Sequence, residues 1–410
     1  MDVRITPSEV SGSIKAIASK SFAHRALICA ALSESDSFIF LNSTSKDIEA
    51  TAECLMSLGA KITRQGEAMR VEPVKEIKDE PLFCNESGST LRFLLPVAAA
   101  IKDKSVFTAA GKLPERPLSP LKEEMERHGV SFSNGFPLEI NGSLSSGEYV
   151  LKGNVSSQFV SGLLFALPLL DGDSEIKLIP PVESKPYIDM TVEVLRQFGI
   201  EITEGINSYF VKGNQVYRAC DYTVEGDWSN SAYFLAMGVK VAGLDMSSTQ
   251  GDRAFLDIMN SFGASVDYKG GFISLKNGEL HGITIDAKNI PDLVPLLATV
   301  AATAKGQTEI YNAGRLRFKE SDRLRSTYEM LKNLGADIVS TDDGFIINGK
   351  DRLSGGEVDS FNDHRIVMSA SVASLKCENE VKIKNAFAVA KSYPEFFEHF
   401  NLLGGNAQCL

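Results

Sequence analysis

The stretch Leu55-Met56-Ser57-Leu58-Gly59-Ala60-Lys61-Ile62 decides the fold, because it joins the apolar end of a helix to the start of a strand through one glycine. Glycine at this point can end a helix in the left-handed conformation, which has little steric cost for glycine alone. The same phrase returns five times, with glycines 70, 70, 64, 72 and 69 residues apart, at Gly59, Gly129, Gly199, Gly263, Gly335 and Gly404.

This spacing predicts an α/β chain built from six similar units. The 410 residues divide by six into units of about 68 residues. A unit of that size buries too little surface to be very stable alone. Three of the glycines precede residue 225 and three follow it, which predicts two similar lobes.

The composition is that of a folded globular protein, with 43% hydrophobic and 23% charged residues. Lys and Arg number 42 and Asp and Glu 53, and the resulting charge of −11 argues against nucleic acid or an anionic membrane as the main partner. The six cysteines form no C-x-x-C pair, and such scattered thiols are typical of a reducing cytosol. With no signal peptide and no long apolar run, we expect a cytoplasmic protein. We also expect it to act as a monomer.

Polar clusters recur where apolar helices are expected to begin. The clusters are Ser19–Arg25, Glu86–Arg92, Ser156–Gln158, Ser184–Tyr187, Pro291-Asp292, Lys319–Arg323, Asn362–Arg365 and Lys391–Pro394. Ser, Asp and Asn there are ordinary N-caps. Capping does not explain the lysines and arginines, because a cation at a helix N-terminus opposes the helix dipole. Their repeated presence predicts a site for small anions, held by backbone N–H groups and cations together.

Acidic residues stand among these cations. Asp292 and Glu320 are candidate general acid/base groups, since each begins its helix beside the expected site. For Asp322 and Asp363, pairing with the cations is an equally open interpretation. No P-loop, dinucleotide fingerprint, metal-ligand spacing or nucleophile elbow occurs, so we expect neither metal nor cofactor. A non-catalytic anion-binding repeat protein is the alternative, although it would not need the acids.

At these clusters the sequence resembles the 5-enolpyruvylshikimate-3-phosphate synthase family (3-phosphoshikimate 1-carboxyvinyltransferase) from about residue 15 to about residue 395. The resemblance rests on the clusters above together with Glu115-Arg116-Pro117 and Val224-Glu225-Gly226-Asp227. It implies a two-lobed inside-out α/β barrel with six βαβαββ repeats, three per lobe, and an active site in the cleft between the lobes. Residues 15–225 would form the N-terminal lobe, and residues 1–14 with 226–410 the C-terminal lobe.

The resemblance also implies a reaction of the shikimate pathway, in aromatic amino acid (chorismate) biosynthesis. The carboxyvinyl group of phosphoenolpyruvate would move to the 5-hydroxyl of shikimate-3-phosphate, with release of phosphate, by addition and elimination through a tetrahedral intermediate. Asp292 would take the hydroxyl proton, and Glu320 would protonate the methylene carbon, with Lys20 and His364 nearby. Shikimate-3-phosphate would be held by Ser21, Arg25, Ser156, Ser157, Gln158, Ser184, Tyr187, Asp292 and Lys319. Phosphoenolpyruvate would be held by Lys20, Gly88, Arg116, Gln158, Arg323, Arg365 and Lys391, with Arg92 and Arg315 in support.

Two positions depart from the family pattern: Glu86 stands where Asn is common, and Arg315 also replaces a frequent Asn. A carboxylate at Glu86 beside an anion site needs either a partner or a direction away from the anion. The nearest rival is the sister enolpyruvyl transferase that acts on a uridine-diphospho-amino sugar and generally uses a cysteine acid on a loop. The corresponding loop here, Leu113–Pro117, has no cysteine, which favours shikimate-3-phosphate.

Overall fold

The computed structural model describes residues 1–276 and 278–410 and contains two compact units. One unit consists of Met1–Ile17 and Gly226–Leu410, and the other of Ala18–Glu225. The N-terminal segment of the first unit therefore ends at Ile17, beyond the expected boundary at residue 14. The reason is that Ser13–Lys15 pairs in parallel with Lys240–Ala242 of the same unit.

Helices and groups of strands follow one another along the described residues. The strands are β1 (Val3–Ile5), β2 (Ser13–Lys15), β3 (Ser37–Phe40), β4 (Lys61–Gln65), β5 (Ala68–Glu72), β6 (Leu82–Phe83), β7 (Lys104–Thr108), β8 (Ser131–Phe132), β9 (Leu138–Asn141), β10 (Glu148–Lys152), β11 (Ser174–Ile179), β12 (Ile202–Gly205), β13 (Ser208–Val211), β14 (Tyr222–Thr223), β15 (Lys240–Ala242), β16 (Ser265–Lys269), β17 (Phe272–Lys276), β18 (Thr284–Asp286), β19 (Gln307–Tyr311), β20 (Asp337–Ser340), β21 (Phe345–Asn348), β22 (Gly356–Asp359), β23 (Val381–Lys384) and β24 (Ala407–Cys409). The helices are α1 (Lys20–Ala31), α2 (Lys46–Leu58), α3 (Gly88–Ile101), α4 (Leu121–Arg127), α5 (Ser157–Ala166), α6 (Lys185–Gln197), α7 (Trp228–Ala236), α8 (Phe255–Phe262), α9 (Val294–Ala301), α10 (Arg323–Asn333), α11 (His364–Ser374) and α12 (Phe396–Leu402). Short 3-10 helices occupy Leu113–Glu115, Leu167–Leu169, Gly251–Ala254, Gly314–Phe318 and Ala386–Lys391.

The strands form six four-stranded sheets with one shared pattern. Their orders are β14-β3-β5-β4, β6-β7-β9-β8 and β10-β11-β13-β12 in the unit of residues 18–225, and β2-β15-β17-β16, β18-β19-β21-β20 and β22-β23-β1-β24 in the other. Each sheet begins with a parallel pair and continues with antiparallel pairs. The predicted six repeats are therefore confirmed, with three sheets in each unit.

The six repeat glycines do what the sequence predicted. Each has a positive φ, from 77° at Gly199 to 120° at Gly59, and each lies between a helix and a strand. Gly59, for example, follows α2 and precedes β4, and its N–H bonds to the carbonyl of Met56. A side chain at this φ would be strained, so glycine here fixes both the end of the helix and the direction of the following strand.

The core of each unit surrounds three apolar helices. These are α1, α3 and α5 in one unit and α7, α9 and α11 in the other. All eight residues of α9 and all eleven of α11 are buried, which is the pattern of a helix enclosed on every side. Consequently, only the ends of these helices can offer backbone groups to a ligand, and the predicted polar clusters stand at the N-terminal ends.

Within residues 1–276 and 278–410, no helix combines the length and the apolar composition that a membrane crossing requires.

Candidate active site

In the unit of residues 1–17 and 226–410, three predicted cations converge on one predicted carboxylate. Asp292 precedes α9, and its carboxylate oxygens lie 2.7 Å from Arg323 Nη1 and 3.4 Å from both Lys319 Nζ and Arg365 Nη2. These positive charges stabilise the carboxylate form of Asp292, which is the form that a general base requires. These three predicted cations are therefore clustered around one carboxylate.

Arg323 connects the acids of this cluster. Its side chain is 1% exposed, with Nη1 donating to Asp292, Nη2 to Glu320 Oε2 at 2.7 Å and Nε to Asp363 Oδ2 at 2.8 Å. Burial lowers the pKa of Arg323, but the carboxylates of Asp363, Glu320 and Asp292 outweigh it and raise that pKa well above its ordinary value. The guanidinium is thus permanently charged and holds the two candidate acid/base groups at a fixed separation.

Asp363 and Asp322 have structural partners. Asp363 caps α11 by accepting from the Arg365 N–H at 2.9 Å, and it also accepts from Ser321 Oγ at 2.9 Å. Asp322 caps α10 by accepting from the Arg325 N–H at 3.1 Å. Both residues therefore fit the interpretation in which an acid caps a helix and pairs with a cation.

Three further predicted residues of this unit are Lys319, Arg315 and His364, and each has a different environment. Burial lowers the pKa of Lys319, although Asp292 partly opposes the effect. Arg315 donates to the backbone carbonyl of Lys288, in the segment leading to Asp292. His364 is 1% exposed, with Nδ1 3.8 Å from Asp363 Oδ1. Its side chain is therefore enclosed in the unit and not presented on the surface.

The prediction that Lys391 begins the last helix was wrong. Lys391 ends the 3-10 helix Ala386–Lys391, and α12 begins only at Phe396, because Pro394 interrupts the chain between them. Its side chain is buried, and Nζ donates to the carbonyl of Asn362 at 2.5 Å. Lys391 is thereby attached to the segment that leads into α11.

The unit of residues 18–225 contains a second group of predicted residues, at the starts of α1, α3, α5 and α6. Lys20, the first residue of α1, donates to Asp47 Oδ2 at 2.8 Å. Arg25 is buried and braces α1 against α6, donating to Ser21 O at 2.6 Å, Tyr187 O at 2.7 Å and Thr191 Oγ1 at 2.9 Å. Burial lowers the pKa of Arg25 to about 10.

Gly88 and Arg116 lie together at the start of α3. A Cβ at Gly88 would stand 2.6 Å from Arg116 Nη1, so the guanidinium packs directly over this helix start. The Glu86 carboxylate lies against Gly111, on the loop that leads to Arg116. The unusual acid is thus directed at a neighbouring loop, where it supports the segment that carries the cation.

Arg92 holds Gln158 and the Arg116 loop to α3. Its Nη1 donates to Gln158 Oε1 at 2.7 Å, and its Nη2 donates to the carbonyl of Pro117 at 3.2 Å. Gln158 in turn donates to Ser89 Oγ at 2.9 Å. The carboxamide of Gln158 is therefore fixed between two groups of α3.

The predicted serines stand at helix starts. Ser156 caps α5 and accepts from the Gln158 N–H at 3.3 Å, while Ser157 is the first residue of that helix. Ser184 precedes α6 with a left-handed φ of 54°, and its carbonyl accepts from the Tyr187 N–H at 3.0 Å. Such helix starts present N–H groups that suit an anionic ligand.

Sequence reasoning missed several groups that support these residues. Asp47 pairs with Lys20, and Thr51 connects His24 Nδ1 at 2.7 Å to Thr90 Oγ1 at 2.6 Å across α1, α2 and α3. Asp252 is buried in the 3-10 helix Gly251–Ala254 and accepts from Ser229 Oγ at 2.5 Å. Ser45 caps α2 by accepting from the Ile48 N–H at 3.4 Å, and this local pattern could have indicated a helix start near Asp47, but nothing local indicates which element that start meets.

A cavity of about 520 Å³ lies at the opposite ends of α7, α9 and α11, lined by residues such as Met237, Val300 and Leu375. None of the predicted site residues lines it. The candidate active site is therefore the group of helix starts, and this cavity is separate from it.

The fold and these residues define a class: an α/β protein of six repeats in which predicted cations gather near helix starts and one guanidinium, that of Arg323, binds three acids. Comparisons with known proteins then give the family. The model of the family EPSP synthase (3-phosphoshikimate 1-carboxyvinyltransferase) matches residues 5–400. The chain belongs to this family.

Individual relatives are similar in sequence to this chain over almost its full length. The 3-phosphoshikimate 1-carboxyvinyltransferases of Clostridium novyi and Clostridium perfringens are 44% and 45% identical, each over 98% of this chain and 98% of the relative. Among solved structures, an EPSP synthase from Acinetobacter baumannii matches with a TM-score of 0.82 at 26% identity, covering 99% of both chains. The enolpyruvyl transferase NikO from Streptomyces tendae shares the fold, with a TM-score of 0.82 at 18% identity. The expected two-lobed fold is thus confirmed.

Proposed function

We propose that this chain transfers the carboxyvinyl group of phosphoenolpyruvate to the 5-hydroxyl of shikimate-3-phosphate by addition and then elimination. In the first step the hydroxyl oxygen bonds to the central carbon of phosphoenolpyruvate, the hydroxyl proton leaves to a base, and the methylene carbon gains a proton to become a methyl group. In the second step the C–O bond to phosphate breaks, and the methyl group loses a proton to restore the double bond. The observation that carries this proposal is the sharing of Arg323 by Asp292 and Glu320.

Asp292 is the base that receives the hydroxyl proton. Its contacts with Lys319, Arg323 and Arg365 favour the ionised carboxylate, and Lys319 beside it would bind the phosphorylated acceptor. The second acid of the pair, Glu320, has a side chain that is 17% exposed, whereas Asp363 on the same guanidinium is fully buried. Glu320 and Asp292, whose side chains are 17% and 20% exposed, are therefore the carboxylates of this guanidinium that an incoming anion can reach, and since Asp292 is assigned as the base, Glu320 is the one displaced from Nη2.

That displacement would convert Glu320 into the proton donor. Once an anionic group of phosphoenolpyruvate takes the Nη2 donor, Glu320 loses its hydrogen bond to Arg323 and gains a negative neighbour. Both changes favour the protonated carboxyl, which can then supply the proton that the methylene carbon needs. Arg365 and Lys391 of the same unit, with Lys20, Gly88, Arg116 and Gln158 of the other, bind phosphoenolpyruvate in this proposal, supported by Arg92.

Shikimate-3-phosphate is assigned to Ser21, Arg25, Ser156, Ser157, Gln158, Ser184 and Tyr187, together with Asp292 and Lys319. Support comes from the helix-start positions of the serines and from the bracing of α1 against α6 by Arg25. Since the three bonds described for Arg25 run to protein atoms, its part is to hold Ser21 and Tyr187 in place. Arg315, through its bond to Lys288, stabilises the segment before Asp292.

The proposal places the enzyme in the cytoplasm as a monomer acting on two small molecules. All six cysteines are free thiols, and Cys29, Cys54, Cys84 and Cys377 are buried, as suits a reducing compartment.

Two isosteric variants test the assignment of the acids. Asp292→Asn and Glu320→Gln remove a proton-transferring group while retaining the size of the side chain, so both should lower kcat by about 100-fold or more. Binding of shikimate-3-phosphate, measured by calorimetry, should persist in Glu320→Gln. Phosphate release by wild-type protein should require shikimate-3-phosphate, with no release when a uridine-diphospho-amino sugar replaces it. Full turnover in both variants would contradict the assignment, and release with the nucleotide sugar would indicate the sister activity.

A further inference from the structure

The first turn of α7 contains a buried amide that the assignments above do not use. Asn230 is 1% exposed, and its Oδ1 lies 3.4 Å from Arg365 Nη1 and 3.4 Å from Ser392 Oγ. Arg365 belongs to α11, and Ser392 follows Lys391 at the end of the 3-10 helix Ala386–Lys391. One carboxamide oxygen therefore connects α7 with the two segments that carry the assigned cations Arg365 and Lys391.

The backbone fixes Asn230 at this position. Asp227 caps α7 by accepting from the Asn230 N–H at 2.7 Å. Gln250 holds the preceding turn, accepting from the Trp228 N–H at 3.1 Å and donating to the carbonyl of Gly226 at 2.8 Å. Since Asp227 and Gln250 both hold the backbone of this turn, the side chain of Asn230 has a fixed support from which it contacts Arg365.

A neutral acceptor suits a guanidinium that must still bind an anion. A carboxylate at position 230 would form an ion pair with Arg365 and compete with an anionic substrate. An amide oxygen orients the guanidinium without cancelling its charge. Arg365 also contacts Asp292 through Nη2 at 3.4 Å, and the ring of Tyr233 lies 5.9 Å from its Cζ atom.

We propose that Asn230 is a positioning residue for phosphoenolpyruvate, acting through Arg365 and through the segment of Lys391. The inference rests on the proposed function, because it needs these two cations to bind that substrate. It goes beyond that function in naming a residue that touches neither substrate. It also explains why a fully buried position in the first turn of α7 carries a carboxamide side chain.

The test uses steady-state kinetics on the full-length enzyme. Asn230→Ala should raise the KM for phosphoenolpyruvate about tenfold through loss of an oriented charge contact, and leave the KM for shikimate-3-phosphate within about twofold. Asn230→Asp should raise the KM for phosphoenolpyruvate further, because the new carboxylate pairs with Arg365. Ser392→Ala should give a smaller rise, since it removes one of the two donors to Asn230, and it provides a second variant if an Asn230 variant fails to fold.

Ser371→Ala is the matched control. Ser371 is buried on α11, the helix of Arg365, but its hydroxyl donates to the carbonyl of Val367 at 2.9 Å and not to the cluster. This variant should leave both KM values unchanged, even if its melting temperature falls. Equal rises of both KM values in the Asn230 variants, or unchanged values in Asn230→Asp, would overturn the inference. Absence of transferase activity in the wild-type enzyme would instead refute the proposed function.

Discussion

Replacing Gly88 by Ala tests the arrangement at the start of α3. A Cβ at this position would lie 2.6 Å from Nη1, 2.9 Å from Cζ and 3.0 Å from Nη2 of Arg116. Ordinary contact begins at 3.4 Å, so the guanidinium must withdraw by 3.4 − 2.6 = 0.8 Å. The displaced group is the end of a flexible side chain, and alanine favours a helix by up to about 1 kcal/mol over glycine. Gly88→Ala should therefore fold with an unchanged or higher melting temperature.

The substitution should instead weaken the binding of the ligand of Arg116. A hydrogen bond between charged groups contributes about 1.5–3 kcal/mol, so losing one such bond to phosphoenolpyruvate corresponds to a 10- to 150-fold rise in its KM. The KM for shikimate-3-phosphate should change little, because Arg116 is assigned to the other substrate. The assay is phosphate release at saturating shikimate-3-phosphate with varied phosphoenolpyruvate.

Two further variants show whether Arg116 transmits the effect. Gly314→Ala is the matched control, since a Cβ there would meet its nearest neighbour, Asp343 Cβ, at an ordinary 3.6 Å. In an Arg116→Ala background, Gly88→Ala should add little, because the group that the methyl displaces is already gone. A full tenfold rise in that background, or an unchanged KM in the single variant, would refute the reasoning.

Two more predictions concern buried groups. Burial, and then the charge of Asp292, raise the pKa of Asp252 to about 7 from an ordinary 3.8; the folded state should therefore lose stability relative to the unfolded state as the pH rises through this range. Asp252→Asn should thus increase the free energy of unfolding in urea more at pH 8 than at pH 5, and equal increases would contradict this sign. Thr51→Val should lower the free energy of unfolding by about 1–3 kcal/mol, because it breaks the chain from His24 to Thr90. Urea unfolding of single and double variants should show that adding Thr90→Val costs less than the sum of the two single changes, whereas additive costs would show that the two hydroxyls act separately.

The repeat could be predicted from sequence because its signal is local. A glycine with positive φ between helix and strand is a requirement of one residue and its immediate neighbours, and it recurs at Gly59 and five further positions. The helix starts were predictable for the same reason, since a capping residue such as Asp363 acts within its own first turn. Lys391 was placed wrongly because the polar cluster Lys391–Pro394 was interpreted as the start of a helix, whereas α12 begins only at Phe396.

The contacts between elements could not be predicted in this way. Asp47 reaches Lys20 across 27 residues, and Asn230 reaches Arg365 across 135. Such pairs depend on how helices pack, and no periodicity of a single segment encodes that packing. The sequence could indicate that cations and acids gather at helix starts, but the pairing of Asp292 and Glu320 on one guanidinium required the structure.

Nuclear magnetic resonance of the reaction in deuterium oxide tests the central claim most directly. If the methylene carbon of phosphoenolpyruvate is protonated to a methyl group before elimination, deuterium must appear in the vinyl position of the product. Wild-type enzyme with both substrates should show this incorporation together with phosphate release, and Glu320→Gln should lose both. Phosphate release with no deuterium in the vinyl group would contradict addition and elimination by these acids.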